Sequence, residues 1–117
     1  MFKEGTEIVK IDQGAIIQVG GKRHTAKLIE DFYTKNPFPN YDSLETISEL
    51  RNKVEENRFI LNLKKSIGLG KRVIEVGSGT SQLSIALSGG TNNQVVAFDP
   101  TLESLRLGSK FAKKSGV

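Results

Sequence analysis

The alternation of hydrophobic and polar residues divides the chain into a β-hairpin, a helical middle part and a final stretch of strands and helices. Residues 7–19 predict the hairpin, because residues 8–11 and 15–19 are rich in β-branched side chains and flank a turn at Asp12-Gln13-Gly14. Gly20-Gly21 then breaks the pattern. Since two strands alone are marginally stable in water, we expect the hairpin to pack against another part of the chain.

An aromatic segment follows at residues 31–41. It holds half of the eight aromatic residues of the chain, namely Phe32, Tyr33, Phe38 and Tyr41. Pro37 and Pro39 keep the backbone around Phe38 extended, because proline fixes its own φ and moves its predecessor out of the helical region. We therefore expect a structured connecting arm. Its aromatic side chains either attach the arm to the core or line the mouth of a binding site.

A long helix is predicted over residues 43–65. Its apolar residues recur at spacings that keep them on one stripe, namely Leu44, Ile47, Leu50, Val54 and Leu61. Asp42 and Glu45 predict an N-cap with an approximate capping box. Gly68 is a suitable left-handed stop after the helix. We interpret this helix as scaffold.

From residue 71 onward the pattern is strand, helix, strand, helix. Residues 72–76 and 94–98 predict the strands, and residues 81–88 and 102–114 predict the helices. The apolar residues of the first strand fall on both of its faces, as in a central parallel strand that is buried on both sides. One βαβ unit with a further helix predicts an α/β fold built on a parallel sheet.

Composition narrows the class of protein. The 117 residues suffice for one small domain, and 37% hydrophobic with 26% charged residues is typical of a soluble globular protein. The absence of cysteine excludes disulfides and thiolate metal sites, and we expect no metal. No stretch approaches the roughly 18–20 apolar residues of a membrane span, and the N-terminus lacks the apolar region of a signal peptide. We therefore expect a cytoplasmic protein.

Charge adds little to the functional picture. Residues 71–117 hold 6 Lys and Arg against 3 Asp and Glu, and residues 1–70 hold 11 against 10. Part of the excess is Lys110, Lys113 and Lys114, which complement the negative end of the last predicted helix. A nucleic-acid interface would spread basic residues along a face with aromatic residues between them, so we do not expect one. His24, the single histidine, lies between Arg23 and Thr25 and is expected at the surface.

Glu75 is the residue that first suggests a binding site. Its neighbours Val73, Ile74 and Val76 predict a buried strand, where a carboxylate is costly unless it is paired. It lies near the carboxyl end of that strand, which is where open α/β sheets bind ligands. We therefore expect Glu75 to meet a cation or a hydrogen-bond donor.

The turn after this strand and the end of the next strand complete the candidate site. Gly77 and Gly79 allow a tight strand-to-helix turn and a close approach of a ligand to the backbone. The free amides of the following helix favour a negatively charged group. Asp99, twenty residues after Gly79, occupies the position at which Rossmann-type sheets bind the two ribose hydroxyls. An amino-acid tail joined to a nucleoside satisfies all three elements.

These residues resemble a known family. Residues 73–80, Val-Ile-Glu-Val-Gly-Ser-Gly-Thr, resemble the first motif of class I S-adenosylmethionine-dependent methyltransferases, and residues 95–99, Val-Val-Ala-Phe-Asp, resemble the second. The segment from Pro37 to Asp42 is similar to an aromatic arm in a bacterial subgroup of the family. The similarity covers residues 30–117 and leaves out the hairpin.

The resemblance implies a Rossmann-like fold, S-adenosylmethionine as the cofactor and roles for particular residues. Glu75 would contact the methionine amino group, and Asp99, with Pro100 beside it, would hold the ribose. The methionine portion would lie along the loop formed by Gly77, Ser78, Gly79 and Thr80. Ser81 stands where many members have a third glycine, a departure that we expect to be tolerated.

The resemblance also implies that the sheet is incomplete. The residues that contact adenine and position the methyl acceptor follow later strands of the family fold, so we name neither a catalytic residue nor an acceptor. We expect three regions: a hairpin extension (1–30), the arm and long helix (31–70), and the first βαβα half of the cofactor domain (71–117). Because bare strand edges invite association, we expect a fragment of a longer product, or a chain that self-associates or pairs with a partner.

Two alternatives remain at this stage. An NAD-binding oxidoreductase fragment is disfavoured, because Gln82 stands where the dinucleotide fingerprint requires a third glycine. It is also disfavoured because that class usually has an apolar or small residue at the position of Glu75. A non-catalytic interaction module that retains half of a Rossmann-like fold is the other alternative, since glycines mark any tight turn.

Overall fold

The computed structural model describes residues 8–20 and 24–117, and only the backbone of residues 24–26. The described part of the chain is an α/β structure with five α-helices and two two-stranded sheets. Strand β1 (Ile8–Ile11) pairs antiparallel with β2 (Ile16–Val19), so that Ile8 lies opposite Val19, across a 3₁₀ turn at Asp12–Gly14. The predicted hairpin is confirmed over these residues; Glu7, Gly21, Lys22 and Arg23 lie outside the described residues.

Helix α1 (His24–Lys35) was not predicted. It includes Phe32 and Tyr33, so the first half of the predicted connecting arm is helical, and the non-helical backbone expected around Phe38 begins beyond Lys35. The helix runs across the predicted boundary between residues 30 and 31, and it packs against the last helix of the chain. His24 begins α1 and does not lie in a loop; its side chain is outside the described part.

The single long helix is also wrong, because the structure has two helices there, α2 (Ile47–Glu55) and α3 (Arg58–Ile67). Asn57 interrupts them with a non-helical backbone, and its side-chain oxygen accepts from the amides of Phe59 and Ile60. An asparagine that caps a new helix in this way competes with continuation of the old one.

The start of α2 also differs from the prediction, because another residue caps the helix. The N-cap is Thr46, which forms a reciprocal capping box with Glu49, and the predicted pair of Asp42 and Glu45 does not cap the helix. One carboxylate oxygen of Glu49 accepts hydrogen bonds from the backbone amides of Glu45 and Thr46. These two bonds lower the pKa of Glu49. Gly68 ends α3, as predicted, but its φ of 75° with ψ of −144° is a glycine conformation other than the expected left-handed helical one.

The remaining elements agree with the sequence pattern. They are β3 (Arg72–Val76), α4 (Gln82–Ser88), β4 (Gln94–Phe98) and α5 (Leu102–Lys114). Strands β3 and β4 are parallel, and their register places Arg72 opposite Gln94 and Val76 opposite Phe98. The buried core lies among the helices that surround α4 and consists of Leu50, Val54, Ile85, Ala86 and Phe111.

The two faces of the β3–β4 sheet are unequal. On the covered face, Val73, Glu75, Val95 and Ala97 are half-buried. On the open face, four apolar side chains are largely exposed: Ile74 at 68%, Val76 at 82%, Val96 at 54% and Phe98 at 51%. The expectation that β3 is buried on both sides is therefore wrong in this structure, because the described helices cover one face only. None of the described helices is long and apolar enough to cross a membrane.

Candidate functional site

The carboxyl ends of β3 and β4 lie side by side, and the turn formed by residues 77–81 crosses between them. The amides of Gly77 and Ser78 donate to the carbonyl of Phe98, at 2.8 and 2.9 Å. These bonds join the end of one strand to the end of the other. Gly77 and Gly79 both have positive φ, 75° and 55°, so the turn requires the backbone freedom that its two glycines provide.

Asp99 connects the turn to the last helix. One carboxylate oxygen accepts from the amide of Gly79 at 2.8 Å, and the other accepts from the amide of Thr101 at 2.8 Å. A carboxylate has about four lone-pair sites, so these two bonds leave acceptor capacity on both oxygens. Asp99 therefore has a positioning role within the protein and can still accept from a ligand hydroxyl.

Residues 38–41, here called the strap, lie over the turn. Three consecutive carbonyl groups of the strap accept hydrogen bonds: that of Phe38 from the amide of Thr80 at 3.4 Å, that of Pro39 from the Thr80 hydroxyl, and that of Asn40 from the side-chain amide of Gln82 at 2.6 Å. The fit is close, since a Cβ on Gly79 would lie 2.3 Å from the Phe38 carbonyl oxygen. The strap therefore fixes the turn from outside.

Tyr41 anchors the strap from its far end. Its hydroxyl donates to the carbonyl of Thr80 at 2.6 Å, and its ring packs on Phe111 with centroids 4.8 Å apart. Burial raises the pKa of Tyr41 well above its ordinary value, and the nearby carboxylate of Glu75 adds to this effect. Of the two roles considered for the aromatic residues, Tyr41 thus has the one that attaches the arm to the core.

Glu75 does meet a donor, as its position in the strand predicted. The hydroxyl of Ser84, on α4, donates to one of its carboxylate oxygens. Glu75 lies on the covered face of the sheet, in the same row as Val73, and its side chain is half-buried beneath α4. The partner of this acid is therefore supplied by the protein itself.

A cleft of about 290 Å³ opens at the carboxyl ends of the strands, between the turn, α1 and the start of α5. It brings together four of the seven predicted site residues, Gly77, Gly79, Asp99 and Pro100. The other three do not line it. Ser78 and Thr80 are buried in the turn, and the side chain of Glu75 lies between the sheet and α4. The remaining cleft residues are Ile29, Tyr33, Phe38, Thr101 and Ser104.

The sequence analysis missed Ile29, Thr101 and Ser104. Ile29 and Tyr33 are four residues apart, a spacing that places two side chains on the same face of a helix. That spacing could have indicated α1, but residues 31–41 were interpreted as an aromatic arm instead. Thr101 is buried, and its hydroxyl has no hydrogen-bond partner among the described residues. Within the described residues, no group of three or more His, Asp or Glu side chains is placed to hold a metal ion.

The amides of the turn and those of α4 differ in their partners. The first amides of α4, at residues 82–84, have no acceptor among the described residues, as expected for a helix start, but these residues do not line the cleft. Every amide of the turn already has an acceptor in the protein. The amides of residues 77 and 78 donate to the carbonyl of Phe98, and that of residue 79 donates to the carboxylate of Asp99. The amides of residues 80 and 81 donate to the carbonyls of Phe38 and Ser78. Ser81 itself has φ of 65°, and its hydroxyl lies 3.3 Å from that of Ser78. The backbone of the turn is thus satisfied internally.

Comparison with known proteins adds no relative: no family model, no curated protein and no solved structure matches this chain significantly.

Proposed function

We propose that this chain binds S-adenosylmethionine and is of the class I methyltransferase type, with β3, α4, β4 and α5 forming a Rossmann-like unit. One observation carries the proposal. Asp99 and the glycine turn, which are twenty residues apart in the chain, line one cleft at the carboxyl ends of two parallel strands. This is the edge at which open α/β sheets bind nucleotide ligands.

The residues present fit the nucleoside part of the cofactor. Asp99 retains acceptor capacity for ribose hydroxyls, and Gly77, whose backbone is exposed, leaves room for a ligand beside it. Tyr33 and Phe38 supply exposed aromatic surface at the same cleft. When bound, the cofactor would supply an electrophilic methyl group. The methyl acceptor and any catalytic residue remain outside the proposal.

An NAD-binding site is supported less well. A dinucleotide requires open amides at the helix start to receive its pyrophosphate. Here Gln82 occupies the position of the third glycine, and its side chain ties that helix start to the strap through Asn40. We therefore expect NAD to bind weakly or not at all.

A non-catalytic module is the second candidate, and one observation favours it. The amides of the turn all donate within the protein, so the turn needs no ligand to satisfy its backbone.

Calorimetric titration with S-adenosylhomocysteine and with NAD separates these functions. The proposal predicts binding of S-adenosylhomocysteine with a Kd on the order of 1 μM, equivalent to about 8 kcal/mol, and much weaker binding of NAD. Asp99→Ala should abolish that binding, with circular dichroism to confirm that the variant is folded. Absence of heat with both ligands, from folded wild-type protein, would overturn the proposal in favour of the module.

A further inference from the structure

We propose that the cleft recognises the nucleoside half of its ligand and makes few contacts with the substituent at the 5′ position. The inference rests on the proposed function and narrows it. Adenosine, and adenosines with other 5′ groups, should therefore occupy the site about as well as S-adenosylmethionine does. Three observations lead to this conclusion. Two concern the groups that would bind the methionine tail, and one concerns the groups that would bind the nucleoside.

The first observation is the internal saturation of the turn. The first amides of α4, those of residues 82–84, have no acceptor among the described residues, but none of these residues lines the cleft. A methionine carboxylate in the cleft would therefore need free amides at residues 77–81, and each of these amides already donates to a carbonyl or carboxylate oxygen of the protein. Breaking one of these bonds to admit the ligand would exchange one hydrogen bond for another. The net gain for the tail would therefore be small.

The second observation is the position of Glu75. This acid, which the family resemblance assigns to the methionine amino group, is held by Ser84 between the sheet and α4 and does not line the cleft. Turning it toward a ligand would leave the hydroxyl of Ser84, a buried residue, without that partner. A buried polar group that loses its partner costs about 1–3 kcal/mol, which works against such a movement.

The third observation is that the features that remain available suit a nucleoside. Asp99 can accept from two hydroxyls, as the cis-diol of a ribose requires. Phe38 is 70% exposed at the cleft, with Tyr33 beside it, and such aromatic surface stacks with a planar base. Thr101, which also lines the cleft, adds a buried hydroxyl without a partner among the described residues.

The size of the cleft agrees with this division. Pockets that enclose drug-sized ligands measure about 300–1,000 Å³. The cleft, at about 290 Å³, is at the lower limit of that range and suits a nucleoside better than a nucleoside with an extended tail. We infer that a bound tail would project from the cleft toward solvent.

The test compares three ligands on the full chain by calorimetry: S-adenosylhomocysteine, adenosine and methionine. The inference predicts that the Kd values of the first two agree within about threefold and that methionine gives no heat. Glu75→Gln, which keeps an acceptor for Ser84, should change neither Kd by more than about twofold. Phe38→Ala should weaken both ligands equally, by roughly tenfold, since base–aromatic stacking is lost.

Phe59→Ala is the matched control for Phe38→Ala. Phe59 is 74% exposed on α3 and does not line the cleft, so its truncation should leave both Kd values unchanged. Circular dichroism should show both variants folded, because the hydrogen bond of Phe38 in the strap is accepted by its backbone carbonyl, which Phe38→Ala retains.

The outcomes separate the two proposals. If S-adenosylhomocysteine binds more than about threefold more tightly than adenosine, the tail is recognised; the inference then fails while the proposed function stands. Loss of that difference in Glu75→Gln would identify Glu75 as the group that recognises the tail. If neither ligand binds to folded protein, the proposed function fails and the inference with it.

Discussion

Tyr41 shows how one side chain links the strap, the core and the sheet. It donates to the carbonyl of Thr80, stacks on Phe111 and lies near the carboxylate of Glu75. A phenol in this position is favourable only while it is protonated, because burial penalises its charged form. The stability of the protein should therefore depend on pH in the alkaline range.

The sign of that dependence follows from the raised pKa of Tyr41 in the folded state. An unfolded tyrosine releases its proton near pH 10, whereas the folded one retains it to higher pH. The contribution of Tyr41 is complete below about pH 10 and is lost as the pH rises from there toward the folded pKa. Tyr41→Phe should lower the unfolding free energy at pH 8 by about 1 kcal/mol and flatten its decline above pH 10.

Urea unfolding at pH 8 and at pH 11 measures both effects. Tyr33→Phe is the matched control, since it removes the other of the two phenols of the chain from an exposed position in α1. An alkaline decline that is the same in Tyr41→Phe and in wild type would contradict the prediction.

At the scale of elements, α5 approaches the turn through Gly108. A Cβ on this residue would lie 2.5 Å from the carbonyl oxygen of Thr80 and 3.0 Å from the Cβ of Ser81. Neither atom belongs to a flexible side-chain end, so a larger residue must move the helix or the turn. This contact fixes how closely α5 packs beside the cleft.

Gly108→Ala should therefore destabilise the protein, although alanine is the better helix former by about 1 kcal/mol. We expect overpacking to dominate and to lower the unfolding free energy by about 1–3 kcal/mol. Urea unfolding checks this, with the exposed neighbour Lys110→Ala as a control that should change stability by less than about 0.5 kcal/mol. A stabilised Gly108→Ala variant would show that helix and turn are free to separate.

Elements that depend on local pattern were predictable, and those that depend on long-range contacts were not. The runs of β-branched residues placed β3 and β4 at the correct residues, and the glycine turn and Gly68 marked the correct ends. The break at Asn57 was missed, because a polar residue in an amphipathic stretch does not reveal whether its side chain caps a helix.

The same distinction applies to the candidate site. Asp99 and the two glycines were predicted at one edge of the sheet because each follows the carboxyl end of a predicted strand, and the structure puts them in one cleft. The hydrogen bonds of the strap were not predictable, since their partners are 41 and 42 residues apart in the chain, and no periodicity reports on such pairs. For that reason the contact of the strap with the Thr80 amide was not foreseen.

At the scale of the whole molecule, the open face of the sheet is the least usual surface. Parallel strands are normally covered on both faces, and here Ile74, Val76, Val96 and Phe98 form a contiguous exposed apolar patch. Apolar patches of this kind bind hydrophobic dyes and promote aggregation.

Ile74→Thr combined with Val76→Thr should reduce both properties while retaining β-branched residues in β3. Because these side chains are largely exposed, we expect the unfolding free energy to change by less than about 1 kcal/mol. Dye fluorescence and light scattering on heating are the measurements. Val73→Thr, on the covered face, is the control and should destabilise without lowering dye binding; equal dye binding by wild type and the double variant would refute the prediction.

The strap has a consequence for the order in which the chain folds. Its bonds to the turn close loops of 39 to 42 residues, whereas α4 and β4 follow β3 within about twenty residues. Closing the longer loop has the larger entropy cost, by about 0.6 kcal/mol for a doubling of length, so we expect the βαβ unit to gain its contacts first and the strap to dock on a turn that already exists. For the same reason we expect the strap to open locally while the strands stay paired. On that side the cleft would then have a boundary whose lifetime is shorter than that of the fold itself.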